Sequence, residues 1–128
     1  MGLNFTLNVT PRTKKNSQQM ITLPTGKHIL VASKAYRQFE SECIKDIKKK
    51  GIKVTSPIDC PVNLKCIFYK DKDYKSDLVG YLQAIQDTLV KAKILLDDNH
   101  KIVASTNGSK VFLDRENPRI EIEIEKIL

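Results

Sequence analysis

The segment SDLVGYLQAIQDTLVKAKILLDD, residues 76–98, organises this chain, because it predicts an amphipathic helix with aspartates at both ends. Ser76 stands where an N-cap residue is expected. The chain then continues into the apolar run at residues 94–96. Apolar side chains recur at spacings of three and four residues, which is typical of one helix face: Leu78, Leu82, Ile85, Leu89 and Ala92.

Three aspartates flank this helix and are the candidate metal ligands and catalytic residues. Asp77 is expected at the first turn, where it projects into solvent, while Asp97 and Asp98 follow the apolar run. Carboxylate oxygens suit Mg²⁺, and carboxylate-held Mg²⁺ supplies what phosphodiester hydrolysis needs, an activated water and a neutralised oxyanion. Aspartates are also common at helix starts and in turns, so the spacing alone is a weak signal.

The other periodic segments complete the fold prediction. A helix is expected from Ser33 to Lys50, with Gly51 ending it. Alternating apolar residues predict strands at residues 3–9, 20–23, 28–31, 62–69, 102–106, 110–113 and 120–124. These elements predict an α+β domain over residues 1–128, with a mixed β-sheet and two main helices packed on one side.

The composition favours a polyanionic partner. Of the 128 residues, 41% are hydrophobic, which is enough for one packed core. Lys and Arg number 22 against 15 Asp and Glu, so the net charge is +7 and the pI is near 9.3. Such an excess favours nucleic acid through counterion release, although a solvated basic surface is the alternative.

Cysteine usage and hydropathy set the expected compartment. Cys43, Cys60 and Cys66 form an odd count without a CxxC pair, which supports neither a disulfide framework nor a zinc site. We expect them to be reduced packing residues. Because no apolar stretch approaches the ~20 residues that cross a bilayer, and no signal sequence is recognisable, we expect a cytoplasmic protein without membrane contact.

Two polar segments are candidates for contacts with DNA phosphates. The first, PRTKKNSQ at residues 11–18, is a basic loop that contains Lys14, Lys15 and Asn16. The second, YKDKDYK at residues 69–75, is highly charged and leads into the helix that starts near Asp77. Its candidate phosphate contacts are Lys70, Lys72 and Lys75.

These segments resemble the RusA family of Holliday-junction resolvases, which are small phage- and prophage-borne endonucleases. The resemblance covers nearly the whole chain, and the segment around the aspartates is its most specific part. The matching segments are PRTKKNSQ (11–18), ASKAYRQFE (32–40), VNLKCIFY (62–69), SDLVGYLQAIQDTLVKAKILLDDNHKIV (76–103) and GSKVFLDRENPRIEIEI (108–124).

The resemblance implies an enzyme, its metal and its partners. It implies a Mg²⁺-dependent endodeoxyribonuclease, with Mn²⁺ as a possible substitute, that resolves four-way DNA junctions by paired symmetrical nicks during recombination and repair. It also implies a homodimer acting in the cytoplasm of a bacterial host. Asp77 and Asp98 would be the metal-binding catalytic carboxylates with Asp97 beside them, and the loop at residues 14–16 would lie near the active site.

The chain departs from the family pattern in two places, at the helix start and one turn later. Typical members have Asp-x-Asp-Asn at the helix start and a Lys one turn later, whereas this chain has Val79, Gly80 and Gln83 there. Loss of a carboxylate weakens ion binding, and loss of a Lys removes a charge that could stabilise the leaving oxygen. A second hypothesis is therefore a junction-binding or branched-DNA-binding protein with the same fold and weak or no cleavage activity.

Two further expectations follow from these departures and from the aromatic content. Asp71 and Asp73 are candidate substitutes for the missing carboxylate, whereas Asp87 lies about 15 Å along the helix and is expected to be a surface residue or one that pairs with an N–H group. A nonspecific RNA or single-strand binder is less favoured, because the four Tyr and four Phe residues form no stacking series in the sequence.

Overall fold

The structure is a computed structural model and describes residues 2–13 and 18–127. The described residues form two helices and seven strands, and the α+β prediction is confirmed. In chain order the elements are β1 (Gly2–Leu7), β2 (Gln18–Thr22), β3 (His28–Ala32), α1 (Lys34–Lys49), β4 (Val62–Lys70), α2 (Leu78–Lys91), β5 (Val103–Ser105), β6 (Lys110–Leu113) and β7 (Arg119–Lys126).

The main sheet is mixed, as expected, and β4 lies inside it. Its strand order is β1-β7-β4, after which β5 and β6 follow each other along the far edge of β4. The pairs β1–β7 and β7–β4 are antiparallel, whereas β5 and β6 both run parallel to β4. Strands β2 and β3 form a separate antiparallel hairpin. This arrangement puts the C-terminal ends of β4 and β6 beside each other.

Helices α1 and α2 pack on one face of the main sheet, because alternate residues of each strand are apolar. On β4 and β7 the buried members of this alternation are Leu64, Cys66, Phe68, Ile120, Ile122 and Ile124. The buried helix residues that meet them include Phe39, Cys43, Ile85 and Leu89. The intervening glutamates of β7 lie on the opposite face, in agreement with their interpretation as a solvated strand surface.

The ends of α1 agree with the sequence prediction. The Ser33 side chain accepts a hydrogen bond from the Tyr36 N–H at 3.2 Å, as an N-cap does. At the other end, Gly51 adopts φ 68°, the left-handed conformation that glycine tolerates best. The Ile52 N–H then reaches the Ile47 carbonyl at 3.1 Å, which completes the C-terminal cap.

The start of α2 differs from the prediction by one residue. The N-cap is Asp77, with extended backbone angles of φ −97° and ψ 128°, rather than Ser76. Ser76 instead accepts a hydrogen bond from the Tyr81 hydroxyl at 3.0 Å. Tyr81 is fully buried and stacks on Phe68 with ring centroids 5.2 Å apart. A buried tyrosine hydroxyl usually has a hydrogen-bond partner, and here Ser76 serves as that partner instead of as the N-cap of α2.

The cysteine and hydropathy predictions agree with the fold. Within the described part of the chain all three cysteines are free thiols, and Cys43 and Cys66 are buried. Burial raises the pKa of both thiols, so they behave as small apolar packing groups. Across residues 2–13 and 18–127, neither helix is long and apolar enough to cross a bilayer.

Candidate active site

Asp97 and Asp98 lie together in a surface turn that follows α2. The chain reverses at Lys93, which adopts φ 63°, and then pairs with Ile58 through two backbone hydrogen bonds. The Asp98 N–H donates to Asp97 Oδ1 at 2.7 Å, and Asn99 Nδ2 donates to Asp97 Oδ2 at 3.1 Å. Hydrogen bonds lower the pKa of Asp97. The largest effect comes from the Asp98 N–H, followed by the side chains of Asp98 and Asn99.

Asp87 joins this pair, which the sequence did not predict. Its carboxyl lies near enough to that of Asp98 to influence the titration of Asp98. The limited burial of Asp98, together with its contacts to Asp97 and Asp87, raises the pKa of Asp98. We expected a surface or N–H-pairing residue at position 87, and this side chain is half-buried near a second carboxyl.

Tyr36 of α1 holds Asp87 from the other side. Its hydroxyl donates to Asp87 Oδ2 at 3.3 Å. Burial, followed by the charges of Asp87 and Glu40, raises the pKa of Tyr36, so the hydroxyl keeps its proton and remains a donor. The turn at residues 97–98, α2 and α1 therefore meet at one carboxylate. We call the group Asp87, Asp97 and Asp98 the acidic corner.

Asp77 lies at the opposite end of α2 from the acidic corner. Ten helical steps separate Asp77 from Asp87, which corresponds to about 15 Å along the axis. Among residues 2–13 and 18–127, no three His, Cys, Asp or Glu residues form a group that could hold a metal ion. The structure thus brings Asp97 and Asp98 together but does not gather them with Asp77, and the same applies to the candidate substitutes Asp71 and Asp73.

An exposed stripe of α2 connects the two acidic positions. Val79, Gln83 and Asp87 are spaced by four residues and therefore lie on one helix face. Val79 is 64% exposed and Gln83 is also exposed. Both positions that depart from the RusA pattern consequently lie between Asp77 and the acidic corner. The spacing of four residues was the signal by which the sequence could have included Asp87.

The structure describes three of the six predicted DNA-contact residues. Lys14, Lys15 and Asn16 lie outside the described residues. Lys70 is half-buried. Its ammonium group donates a hydrogen bond to the Tyr74 carbonyl and lies 5.0 Å from the centre of the Tyr74 ring. Lys72 and Lys75 are exposed on the segment that leads into Asp77.

No protein-family model matches this chain, and no curated protein matches it.

Proposed function

We propose that this protein is a Mg²⁺-dependent endonuclease that cuts four-way DNA junctions. The observation that carries the proposal is the exposed stripe of α2, which has Asp77 at one end and the acidic corner at the other. The resemblance to RusA resolvases involves the same acidic positions on either side of the same helix. Resolution of four-way junctions in recombination and repair is the role that this combination supports.

Asp77, Asp97 and Asp98 are the proposed metal-binding and catalytic residues, and Asp87 supports Asp98. Their oxygens are the ligand type that Mg²⁺ and Mn²⁺ take. A divalent cation bound at Asp97 and Asp98 would supply an activated water and charge neutralisation at the phosphate, with Asp77 acting from the other end of the α2 stripe. Burial and the neighbouring carboxyls of Asp97 and Asp87 raise the pKa of Asp98, and a bound cation would favour the ionised form of this group.

The basic residues position the DNA in this proposal. Lys72 and Lys75 are exposed just before Asp77, where they can contact backbone phosphates on either side of a cutting site. A four-way junction has near two-fold symmetry, so two opposed nicks require two copies of the chain in a homodimer. Phosphate contacts read the shape of the junction rather than its base sequence.

The second candidate function is a branched-DNA-binding protein with weak or no cleavage activity. It is favoured by the positions of Val79 and Gln83, which lie between the two acidic ends where the family pattern has Asp and Lys. In this candidate the protein keeps the fold and the basic surface but lacks some of the side chains that cleavage needs.

A cleavage assay on a synthetic four-way junction separates the two candidates. With Mg²⁺, the enzyme should introduce paired symmetrical nicks, and Asp77→Asn and Asp98→Asn should each abolish them. Asp59→Asn is the matched control, because Asp59 is an exposed aspartate in the loop before β4. Tight junction binding without nicks in Mg²⁺ or Mn²⁺ would favour the binding protein over the enzyme.

Binding to junction and duplex DNA at several salt concentrations tests both candidates together. The double variant Lys72→Gln/Lys75→Gln should weaken binding and reduce the slope of log affinity against log salt by about 2, roughly 0.9 per phosphate contact. The control Lys27→Gln/Lys53→Gln removes two exposed lysines from other loops and should leave the slope unchanged. Equal affinity of the wild type for junction and duplex would contradict both candidate functions.

A further inference from the structure

Phe112 on β6 belongs to a row of flat side chains that crosses three strands. Its ring stacks on Tyr69 of β4, with centroids 5.7 Å apart and planes inclined by 30°. On the other side of Tyr69, the Arg119 guanidinium lies 3.7 Å from the ring centre. The three residues are cross-strand partners, on the face of the sheet opposite α1 and α2. We call this row the aromatic platform.

Ion pairs and a hydrogen bond of Arg119 hold the aromatic platform in place. Arg119 forms ion pairs of 2.9 Å with Asp114 and with Glu121, and it also donates to the Asn117 carbonyl at 2.9 Å. The cation is thereby fixed flat over Tyr69, and Tyr69 in turn fixes Phe112. Phe112 nevertheless remains 46% exposed. An aromatic ring with one side packed and the other accessible offers a stacking surface at little cost in conformational entropy.

Phe112 also lines a groove of about 720 Å³ between β6 and the segment before α2. Its charged lining residues are Lys70, Lys75 and Asp73. Tyr74 and Leu113, which are 40% and 41% exposed, provide further apolar surface. Ser76, the residue immediately before the α2 N-cap Asp77, also lines the groove. A chain lying in this groove would pass next to that aspartate.

We propose that the aromatic platform and this groove bind unpaired nucleotides of single-stranded DNA, with one base stacked on Phe112 and the adjoining phosphates beside Lys70 and Lys75. Positively charged grooves with exposed aromatic rings bind single strands in this way, since every base has a flat face. The inference rests on the proposed function, because it identifies unpaired bases at the branch point as the part of the DNA that the protein holds.

Charge favours a nucleic-acid strand over a second copy of this chain on the same surface. The outer edge of β6 carries exposed Phe112 and Leu113, which could also serve a protein contact. A two-fold contact between β6 edges would, however, bring the lysines of both copies together, among them Lys110, which is exposed on the same strand. A polyanionic strand neutralises these lysines instead.

The test measures binding of the full chain to a fluorescent oligothymidylate and to a matched oligonucleotide with abasic sugars, which keeps the phosphates and lacks the bases. Phe112→Leu should lose about 5- to 150-fold in affinity for oligothymidylate, the range of one base–aromatic stack. It should bind the abasic strand as the wild type does. Phe112→Tyr keeps a stacking ring and should retain the wild-type affinity, as should the control Leu30→Ala on β3, where Leu30 is 63% exposed.

Several results would overturn the inference. The first is equal affinity of Phe112→Leu and wild type for oligothymidylate. The second is that Phe112→Leu loses as much affinity for the abasic strand as for oligothymidylate. The third is that the wild type binds oligouridylate more tightly than oligothymidylate. Conversion of a wild-type dimer to monomer by Phe112→Leu in sedimentation would assign the surface to a second copy. Wild-type protein that binds four-way junctions but not oligothymidylate contradicts this inference alone. Base-dependent single-strand binding without preference for junctions contradicts the proposed function alone.

Discussion

The carboxyl of Asp87 on α2 lies near that of Asp98 in the turn after the helix, and it adds to the effects of burial and of Asp97 in raising the pKa of Asp98. Tyr36 donates to the same Asp87 carboxylate from α1. Three segments therefore meet at Asp87, and two of them contribute carboxyl groups. The chain as a whole carries a net charge of +7, which favours polyanionic partners.

We predict that Mg²⁺ stabilises the protein by binding to the adjacent carboxylates of Asp97 and Asp98. At an ion concentration tenfold above its Kd, the free energy of unfolding should rise by about 1.4 kcal/mol. Because the pKa of Asp98 is raised in the folded state, ionisation of Asp98 opposes folding, and stability falls as pH rises through that titration. Asp98→Asn should therefore raise the melting temperature without the ion and remove the Mg²⁺ effect. A Mg²⁺ shift that persists in Asp98→Asn, as it should in the control Asp59→Asn, would refute this prediction.

If the proposed function holds, placing the residues of the RusA pattern on the α2 stripe should increase cleavage. Val79→Asp adds a carboxylate and Gln83→Lys adds a cation between Asp77 and the acidic corner, at two exposed positions. The double variant should cut four-way junctions at least about 10-fold faster than the wild type, since single charged groups contribute that much or more. The control Val79→Asn has similar size without charge, and an equal gain from it would exclude the carboxylate as the cause.

We predict that Lys93→Gly stabilises the protein. Lys93 adopts φ 63° at the end of α2, a conformation that costs an L-residue roughly 1 kcal/mol and that glycine adopts freely. Urea denaturation should show a gain of about 1 kcal/mol. The same substitution inside a helix, Lys45→Gly in α1, should instead cost about 1 kcal/mol. Loss of stability in Lys93→Gly would show that the Lys93 side chain contributes more than the backbone cost.

We predict a pH-dependent contribution from Asp46, which ties α1 to the end of β1. The Asn8 N–H donates to Asp46 Oδ2 at 2.9 Å, and Lys50 lies 3.0 Å from the same oxygen. Burial opposes ionisation of Asp46, but these donors together lower its pKa. Asp46→Asn should cost about 1 kcal/mol at neutral pH.

The sign of this effect follows from the lowered pKa of Asp46. The contribution is complete above the unfolded pKa of about 3.9 and is lost as pH falls below it. Urea denaturation of wild type and Asp46→Asn across this range should show the difference shrinking in acid. A difference that stays constant would mean that the charge of Asp46 is not responsible, and Asp59→Asn should show little effect at any pH.

We predict that Asn63 holds the connection between β5 and β6. Its side-chain oxygen accepts from the Ser105 hydroxyl at 2.6 Å and the Asn107 N–H at 2.8 Å, while its amide nitrogen donates to the Asn107 carbonyl at 3.2 Å. Asn63→Ala should cost about 1–3 kcal/mol, since these partners lose their hydrogen bonds. Amide exchange at Asn107 should accelerate, and less so in Asn63→Asp, which keeps both acceptor contacts. Unchanged exchange in Asn63→Ala would refute the prediction.

Much of the fold was predictable because its signals are local. The period-2 alternation of β4 and β7 indicated strands with one apolar face, and the spacing of Tyr36, Phe39 and Cys43 indicated a helix. Ser33 and Gly51 marked the ends of α1 through hydrogen bonds and a backbone angle that depend on neighbouring residues alone. The N-cap of α2 was misplaced by one residue, because the buried hydroxyl of Tyr81 engages Ser76.

The candidate site was predictable only in part. Asp77, Asp97 and Asp98 were visible as acidic residues around one helix, and their role in metal binding stays a prediction. Whether the chain after α2 returns Asp97 and Asp98 to Asp77 was not visible, because it depends on where the turn at Lys93 directs the chain. The contact of Asp87 with Asp98 depends on the same turn.

The sequence by itself determined the secondary structure, the apolar faces and the basic charge, since periodicity, capping and composition act over a few residues. Only the tertiary structure decided which distant side chains meet. Tyr69, Phe112 and Arg119 stack because β4 pairs with β6 on one edge and β7 on the other in a particular register. That register is fixed by the packing of the whole sheet against α1 and α2, which no local pattern encodes.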